Sequence, residues 1–245
     1  MMLNNNQAGG DFSPSLWNNT GELSRAFSSC MVNVFLRMFL ALLVTAFAAF
    51  SVIRFEFLLN LIFSSKFVFW GLVIAEIALV FAISAGINKM SVAAANALFL
   101  LYAVINGLTL SAIFFAYSFG DIYRAFGITA LMFLVMACFG ALTRRDLTSI
   151  GSICIMGLFG IILASIINIF LKSSMFDYII SYVGIFVFVG LTAYDTQRIK
   201  RMLTETEEAD QREAIRKISV LGALALYLDF INLFIKILSL SKKKN

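Results

Sequence analysis

Seven apolar stretches follow one another along the chain, at 32–52, 67–88, 93–117, 123–142, 148–171, 176–197 and 218–239, with short polar connections between them. At about 1.5 Å of rise per residue, about 20 helical residues cross a hydrocarbon core roughly 30 Å thick. Lipid offers no partner to a backbone N–H or C=O, so such stretches satisfy their own hydrogen bonds as helices. The pattern predicts an all-α, polytopic membrane protein of seven transmembrane helices over residues 32–240. A polar N-terminal tail, 1–31, precedes them as a loose segment holding the single proline, Pro14, and a basic C-terminal tail, 241–245, follows. The connections are short enough to pack neighbouring helices as antiparallel hairpins. The third and fourth spans are separated only by Ser118, Phe119, Gly120, Asp121 and Ile122.

Composition strengthens this reading: 61% of the 245 residues are hydrophobic and 13% are charged, against about 25% charged in a soluble domain. The formal charge of +5 belongs to topology rather than to nucleic acid, because the basic residues lie between and after the apolar runs and form no stripe among aromatics. The longest connection, 198–217, holds Arg198, Lys200, Arg201, Arg212, Arg216 and Lys217 and is expected on the cytoplasmic side. Alternation then places the N-terminus, Lys89, Arg144 and Arg145 on that side as well. Lys242, Lys243 and Lys244 fall on the other side if the seventh stretch crosses. The alternative is a segment that re-enters and returns; crossing is favoured because 218–239 is long enough to span.

Several chemistries are excluded or disfavoured. The chain has no histidine, so no His-based triad, His-ligated haem or His-containing zinc site exists in it. Cys30, Cys138 and Cys154 are far apart and match neither a disulfide framework nor a CxxC metal site, so they read as buried packing residues. The acids of the long connection, Glu205, Glu207, Glu208, Asp210 and Glu213, lack the spacing of an EF-hand and read as a solvated turn or short helix. No cleavable signal peptide is indicated before Met31.

Against this apolar background the ionisable residues stand out. Asp195 in VGLTAYDTQRIKRM and Asp229 in ALYLDFINLFIKIL sit where an ionised carboxylate costs roughly 2.5 to 3.5 kcal/mol on insertion scales, which marks a functional site by default. On a helical wheel Gly222, Asp229, Asn232, Lys236 and Ser239 share one sector of the last span, and that side should face protein. Glu76 is a third buried acid in need of a partner or a proton. Lys236, or Arg37 and Lys89 at the span ends, are its candidate cations, and Asn106 offers an amide between helices. If Asp195 and Asp229 approach, repulsion and desolvation favour one proton held between them, and the pair titrates as a unit. Their oxygens also suit a hard cation. Calcium takes six to eight oxygens and two carboxylates supply at most four, so binding should be weak, with waters or carbonyls completing the shell.

Taken together, GLTAYDTQRIKRM, YLDFINLF and INGLTLS resemble the Bax-inhibitor family, the transmembrane BAX inhibitor motif proteins, over about Val34 to Leu240. The resemblance implies a seven-helix fold with the last helix central, wrapped by the other six. It implies a pH-sensitive calcium leak whose paired aspartates match Asp195 and Asp229, with Glu76 matching the acid of the second helix. Where bacterial relatives carry an arginine late in the final helix this chain has Ser239, with Lys236 one turn earlier. Lys89 is the nearest cation to a second-helix arginine that can bridge the aspartates in a relative.

The expected function is therefore a pH-sensitive calcium leak channel in which Asp195 and Asp229 sense pH, gate, and hold calcium weakly, supported by Glu76, Lys236, Asn106 and Asn232. No catalytic residue and no cofactor is expected, calcium and protons being the ions moved or sensed. The setting is a lipid bilayer, by the character of the motifs a bacterial inner membrane, with no nucleic-acid partner. The alternative is a regulatory protein that modulates membrane proteases or cell-death and stress machinery through contacts with membrane protein partners. Intramembrane aspartyl proteolysis is disfavoured because Leu226, Tyr227 and Leu228 precede Asp229, where presenilin-like enzymes have a Gly-x-Gly triplet. A retinal receptor has only the span count and Lys236 behind it.

Overall fold

The computed structural model describes residues 14–204 and 211–241. Among these, the chain folds into nine α-helices: α1 (Pro14–Arg54), α2 (Glu56–Phe63), α3 (Lys66–Gly86), α4 (Val92–Leu110), α5 (Ile113–Ala116), α6 (Phe119–Leu142), α7 (Thr148–Leu171), α8 (Ser174–Thr204) and α9 (Gln211–Ser241), with a 3-10 turn at Ile87–Lys89. Seven segments are long and apolar enough to cross a membrane: Phe27–Arg54, Lys66–Lys89, Val92–Ala116, Phe119–Leu142, Thr148–Leu171, Ser174–Thr204 and Glu213–Ser241. These are the seven predicted spans. This is an all-helical, multi-pass integral membrane protein.

Three expectations need correction. The N-terminal stretch is not loose throughout, since α1 begins at Pro14; proline suits a first helical position, where its missing N–H costs nothing. Residues 1–13 lie outside the described residues. The long connection 198–217 is largely helix, because α8 runs on to Thr204 and α9 starts at Gln211; its acids from Glu205 to Asp210 lie outside the described residues, as do Lys242 to Lys244. Cys30 and Cys154 are buried as expected, whereas Cys138 is exposed and faces outward from the bundle.

Local chemistry sets several of the boundaries. Ser91 caps α4 by accepting from the Ala94 N–H at 3.2 Å, and Ser118 caps α6 by accepting from the Asp121 N–H at 3.2 Å, each meeting a donor the first helical turn leaves free. Asp146 accepts from the Thr148 N–H at 2.9 Å and from its hydroxyl at 2.6 Å where α7 begins. These bonds hold the Asp146 carboxyl below its usual range. At the other end of α7, Lys172 takes a left-handed conformation with φ of 50°, which turns the chain directly into α8.

The last helix is the centre of the bundle. Its most apolar window is 72% buried, whereas that of α3 is 6% buried. α9 packs against α1, α3, α4, α6 and α8, while α7 is held at the edge through α8. As a continuous helix of 31 residues, α9 is about 46 Å long, so it crosses completely rather than re-entering. Close approach depends on small residues. A Cβ on Gly140 of α6 would run into the backbone carbonyl of Ala193 on α8, and one on Gly107 of α4 would meet the Thr45 backbone of α1. Without a hydrophobic effect between helices in lipid, this backbone proximity and the hydrogen bonds between helices hold the assembly together.

The connections of one end are tied to each other. Gln197 of α8 accepts from the Leu147 N–H at 2.8 Å and donates to the Arg145 carbonyl at 2.8 Å, Arg201 donates to Thr148 at 2.9 Å, and Lys217 of α9 reaches the Asn88 carbonyl at 3.4 Å. The basic residues assigned to one membrane face by sequence therefore share one end of the bundle, referred to below as the basic end.

Candidate functional site

Asp195 lies nine residues before the end of α8 and Asp229 lies midway along α9. The wet sector of α9 faces α8, as a polar stripe excluded from lipid should. Gly222 receives Ile199 of α8, Asp229 has the Thr192 hydroxyl and the Asp195 charge beside it, and Lys236 crosses Gly184 of α8. Asp195 and Asp229 thus occupy one neighbourhood, with the Arg198 charge also acting on Asp195. No ion pair closes it: the only pair within 4 Å among the described residues is Lys217 with Glu213 at 3.0 Å.

The two acids differ in surroundings. Asp229 is 4% exposed, and its Oδ2 is the one fully buried side-chain oxygen or nitrogen among the described residues that has no hydrogen-bond partner. An unmet buried carboxylate oxygen is costly, and that cost is relieved by a proton, a water or a cation. Asp195 is half-buried and lines a cavity of about 210 Å³ with Ser84, Arg198, Gly222, Ala225 and Leu228. That volume accommodates about seven waters at roughly 30 Å³ each. The cavity lies toward the basic end, so Asp195 is the wetted member and Asp229 the sheltered one.

Glu76 belongs to a second network. It accepts from the Thr109 hydroxyl at 2.6 Å and from the Asn106 amide at 3.2 Å. The Asn106 carbonyl oxygen accepts from the Tyr227 hydroxyl at 2.9 Å, and that hydroxyl is 2.6 Å from the Thr45 Oγ1. Thr45 in turn lies 2.9 Å from the carbonyls of Ala41 and Ala103. The chain of bonds joins α3, α4, α9 and α1 through the middle of the bundle. Tyr227 is wholly buried, with the rings of Phe99 and Tyr102 edge-on to it, each at 5.7 Å.

The structure distributes the sequence-predicted residues among distinct places. Asp195 and Asp229 lie near enough for the charge of one to act on the other, and Glu76 and Asn106 are hydrogen-bonded. Asn232 donates to the Leu228 carbonyl of its own helix at 2.8 Å and supports neither group. Lys236 meets neither the dyad nor Glu76, because it lies toward the opposite end of α9, where Asp177 is the acid acting on it. Arg37 is committed to Asn96 at 3.0 Å, and Lys89 is exposed. Glu76 therefore has neutral partners in place of the expected cation. Sequence reasoning missed Thr192, Ser84, Tyr227, Thr109 and Thr45. Thr192 was within reach, three residues before Asp195 and so on the same helical face; Thr45 and Ser84 carry no signal without the packing.

As a metal centre the arrangement is sparse. Among the described residues no group of three or more acids or cysteines gathers to hold an ion, and Arg198 opposes cation binding at Asp195. Two carboxylates with water suit brief contact with a hard cation in transit better than retention.

A central helix carrying a buried acid, wrapped by further spans and opening through a small cavity toward one basic end, defines a class of polytopic helical membrane protein. Comparison with known proteins narrows the class. The family model described as "Inhibitor of apoptosis-promoting Bax1" (Bax1-I) matches residues 28–245, and the chain belongs to this Bax inhibitor-1 family. It is 45% identical over 210 residues to the inner membrane protein YbhL of Escherichia coli K12, covering 85% of this chain and 88% of that one. A protein of Borreliella burgdorferi is 43% identical over 216 residues, covering 88% and 92%, and one of Rickettsia prowazekii is 41% identical over 207 residues, covering 84% and 85%.

Proposed function

We propose that this protein is a proton-regulated cation leak, chiefly for calcium, in a bacterial inner membrane, with Asp195 and Asp229 as the gating pair. The observation that carries the reading is the Asp229 Oδ2, fully buried about halfway along the last span without a hydrogen-bond partner, beside the charge of Asp195 at the edge of a cavity with room for several waters. Such an oxygen is met in one state by a proton and in another by a passing cation with its water, so proton and cation compete for one place. The positive-inside rule puts the basic end, the cavity and the N-terminus on the cytoplasmic side, and the relative's designation as an inner membrane protein supports the location. Protons of the cytoplasm then reach Asp195 through the cavity and Asp229 through Asp195.

Calcium entry into dye-loaded liposomes holding the purified protein tests this. Wild-type flux should change between acidic and alkaline pH, and Asp195→Asn and Asp229→Asn should each flatten that dependence. Flux that keeps its pH response in both variants removes the pair from the mechanism. The family description, an inhibitor of apoptosis-promoting Bax1, also supports a second reading, a regulatory membrane protein acting through contacts with cell-death partners. Photo-crosslinking in the native membrane that recovers no specific membrane protein would count against it.

A further inference from the structure

At the end of α9 away from the dyad lies a second, larger cavity of about 510 Å³, lined by Lys236, Asp177, Ser174, Ser181, Ser239 and Tyr117 among others. Its two charges are opposite, share the same space and do not touch: no nitrogen-to-oxygen distance between them is within 4 Å.

Each charge is held from behind. The Asn168 amide of α7 donates to the Asp177 carboxylate and is itself fixed, donating to the Ser173 carbonyl at 3.2 Å while its oxygen accepts from the Ser173 N–H at 3.1 Å. Asp177 is thus tied to the turn that joins α7 to α8. Lys236 is laid flat against Gly184, where an added Cβ would stand 3.0 Å from its Cγ and Cδ and 3.2 Å from its Cε. The missing side chain at Gly184 is the bed for the lysine stem, which extends the ammonium toward the first turns of α8. Scaffolding on two helices therefore keeps a cation and an anion apart across a hydroxyl-lined space.

Such a pair disfavours simple ions. An anion approaching Lys236 meets Asp177, and a cation approaching Asp177 meets Lys236. A ligand carrying both charges satisfies both. We propose that this cavity binds a small zwitterion, its acidic group on Lys236 and its primary amine on Asp177, with the Ser174 and Tyr117 hydroxyls donating to the remaining oxygens. The shared chemistry is an acidic group one short linker from an ammonium, as in a free amino acid or in the phosphoethanolamine headgroup of a lipid. The site stands independently of the aspartate pair and of any leak through it.

Thermal unfolding of the purified full-length protein in detergent, titrated with O-phosphorylethanolamine, glycine, phosphocholine and inorganic phosphate, tests the assignment. At least one of the two primary-amine zwitterions should raise the unfolding midpoint in a saturable way. Loss of a charge-assisted contact should weaken that binding at least about tenfold in Lys236→Met and in Asp177→Asn, with Lys236→Arg retaining it. Phosphocholine, whose methylated nitrogen cannot donate, and inorganic phosphate should bind at least about tenfold more weakly still than the better zwitterion. A further titration with short-chain phosphatidylethanolamine against short-chain phosphatidylcholine separates the sources: selective stabilisation by the former assigns a lipid headgroup, and by glycine alone a free amino acid. Inorganic phosphate binding as tightly as the zwitterions, affinity unchanged in Asp177→Asn, or no midpoint shift with any zwitterion in wild type would each overturn the proposal. Should Lys236→Met fail to fold, the comparison of Asp177→Asn with wild type carries the same decision.

Discussion

Replacing Tyr227 with phenylalanine removes one oxygen from the centre of the bundle and leaves everything else in place. The ring keeps its edge-on contacts with Phe99 and Tyr102, so the substitution isolates the hydroxyl. That hydroxyl joins the Asn106 carbonyl oxygen of α4 to Thr45 of α1. Thr45 is not orphaned by its loss, since the Ala41 and Ala103 carbonyls remain within 2.9 Å. The Asn106 oxygen loses its donor. Hydrogen bonds between membrane helices are worth about 0.6 kcal/mol on average and up to about 1.7, and an unmet buried acceptor costs about 1–3 kcal/mol. The second effect dominates, and Tyr227→Phe should destabilise the protein by about 2 kcal/mol. Reversible unfolding in mixed detergent micelles, titrated with a denaturing detergent, reads this directly. A double-mutant cycle with Asn106→Leu should show coupling of at least about 0.5 kcal/mol. A loss below about 0.3 kcal/mol in the single variant, with additivity in the cycle, would refute the claim that this hydroxyl ties three helices together.

Other substitutions probe different supports. Gly140→Val drives a side chain into the Ala193 backbone and should cost at least the roughly 1–3 kcal/mol of overpacking; a variant as stable as wild type in the same micelle assay contradicts the close α6–α8 approach. Asn168→Ala cuts the ties to Asp177 and Ser173 and should destabilise by about 1–3 kcal/mol, with faster hydrogen exchange concentrated at residues 171–177; exchange unchanged there counts against the clamp. Asp146 is held below the ordinary carboxylate range by its bonds to Thr148. Its contribution is therefore complete above the ordinary Asp value and fades as pH falls through the lowered one. At neutral pH, Asp146→Asn should speed exchange at the first turn of α7, an effect that vanishes in strong acid, and equal rates at both pH values would contradict the role.

The pattern of apolar stretches was enough to set the number of crossings, because span length follows from bilayer thickness and backbone hydrogen bonding, both local requirements. It also picked out Asp195, Asp229 and Glu76, since a carboxylate in such a run is conspicuous by its cost alone. What the pattern left open was pairing. Lipid and protein interior are alike apolar, so α3 and α9 both read as membrane spans, with mean hydropathies of 2.3 and 2.0, although one faces lipid and the other is enclosed. The polar sector of α9 reads as one continuous face, and only its packing on α8 divides it, giving Asp229 to Asp195 at one end and Lys236 to Asp177 at the other. Thr45, Thr109 and Tyr227 are commonplace residues in any membrane helix; four helices must meet before they become a hydrogen-bonded chain around Glu76. Sequence determined which segments enter the membrane and which charges they carry, because burying each group has its own price. Tertiary structure alone decided which charges meet, because that depends on the contacts between helices brought together by the fold.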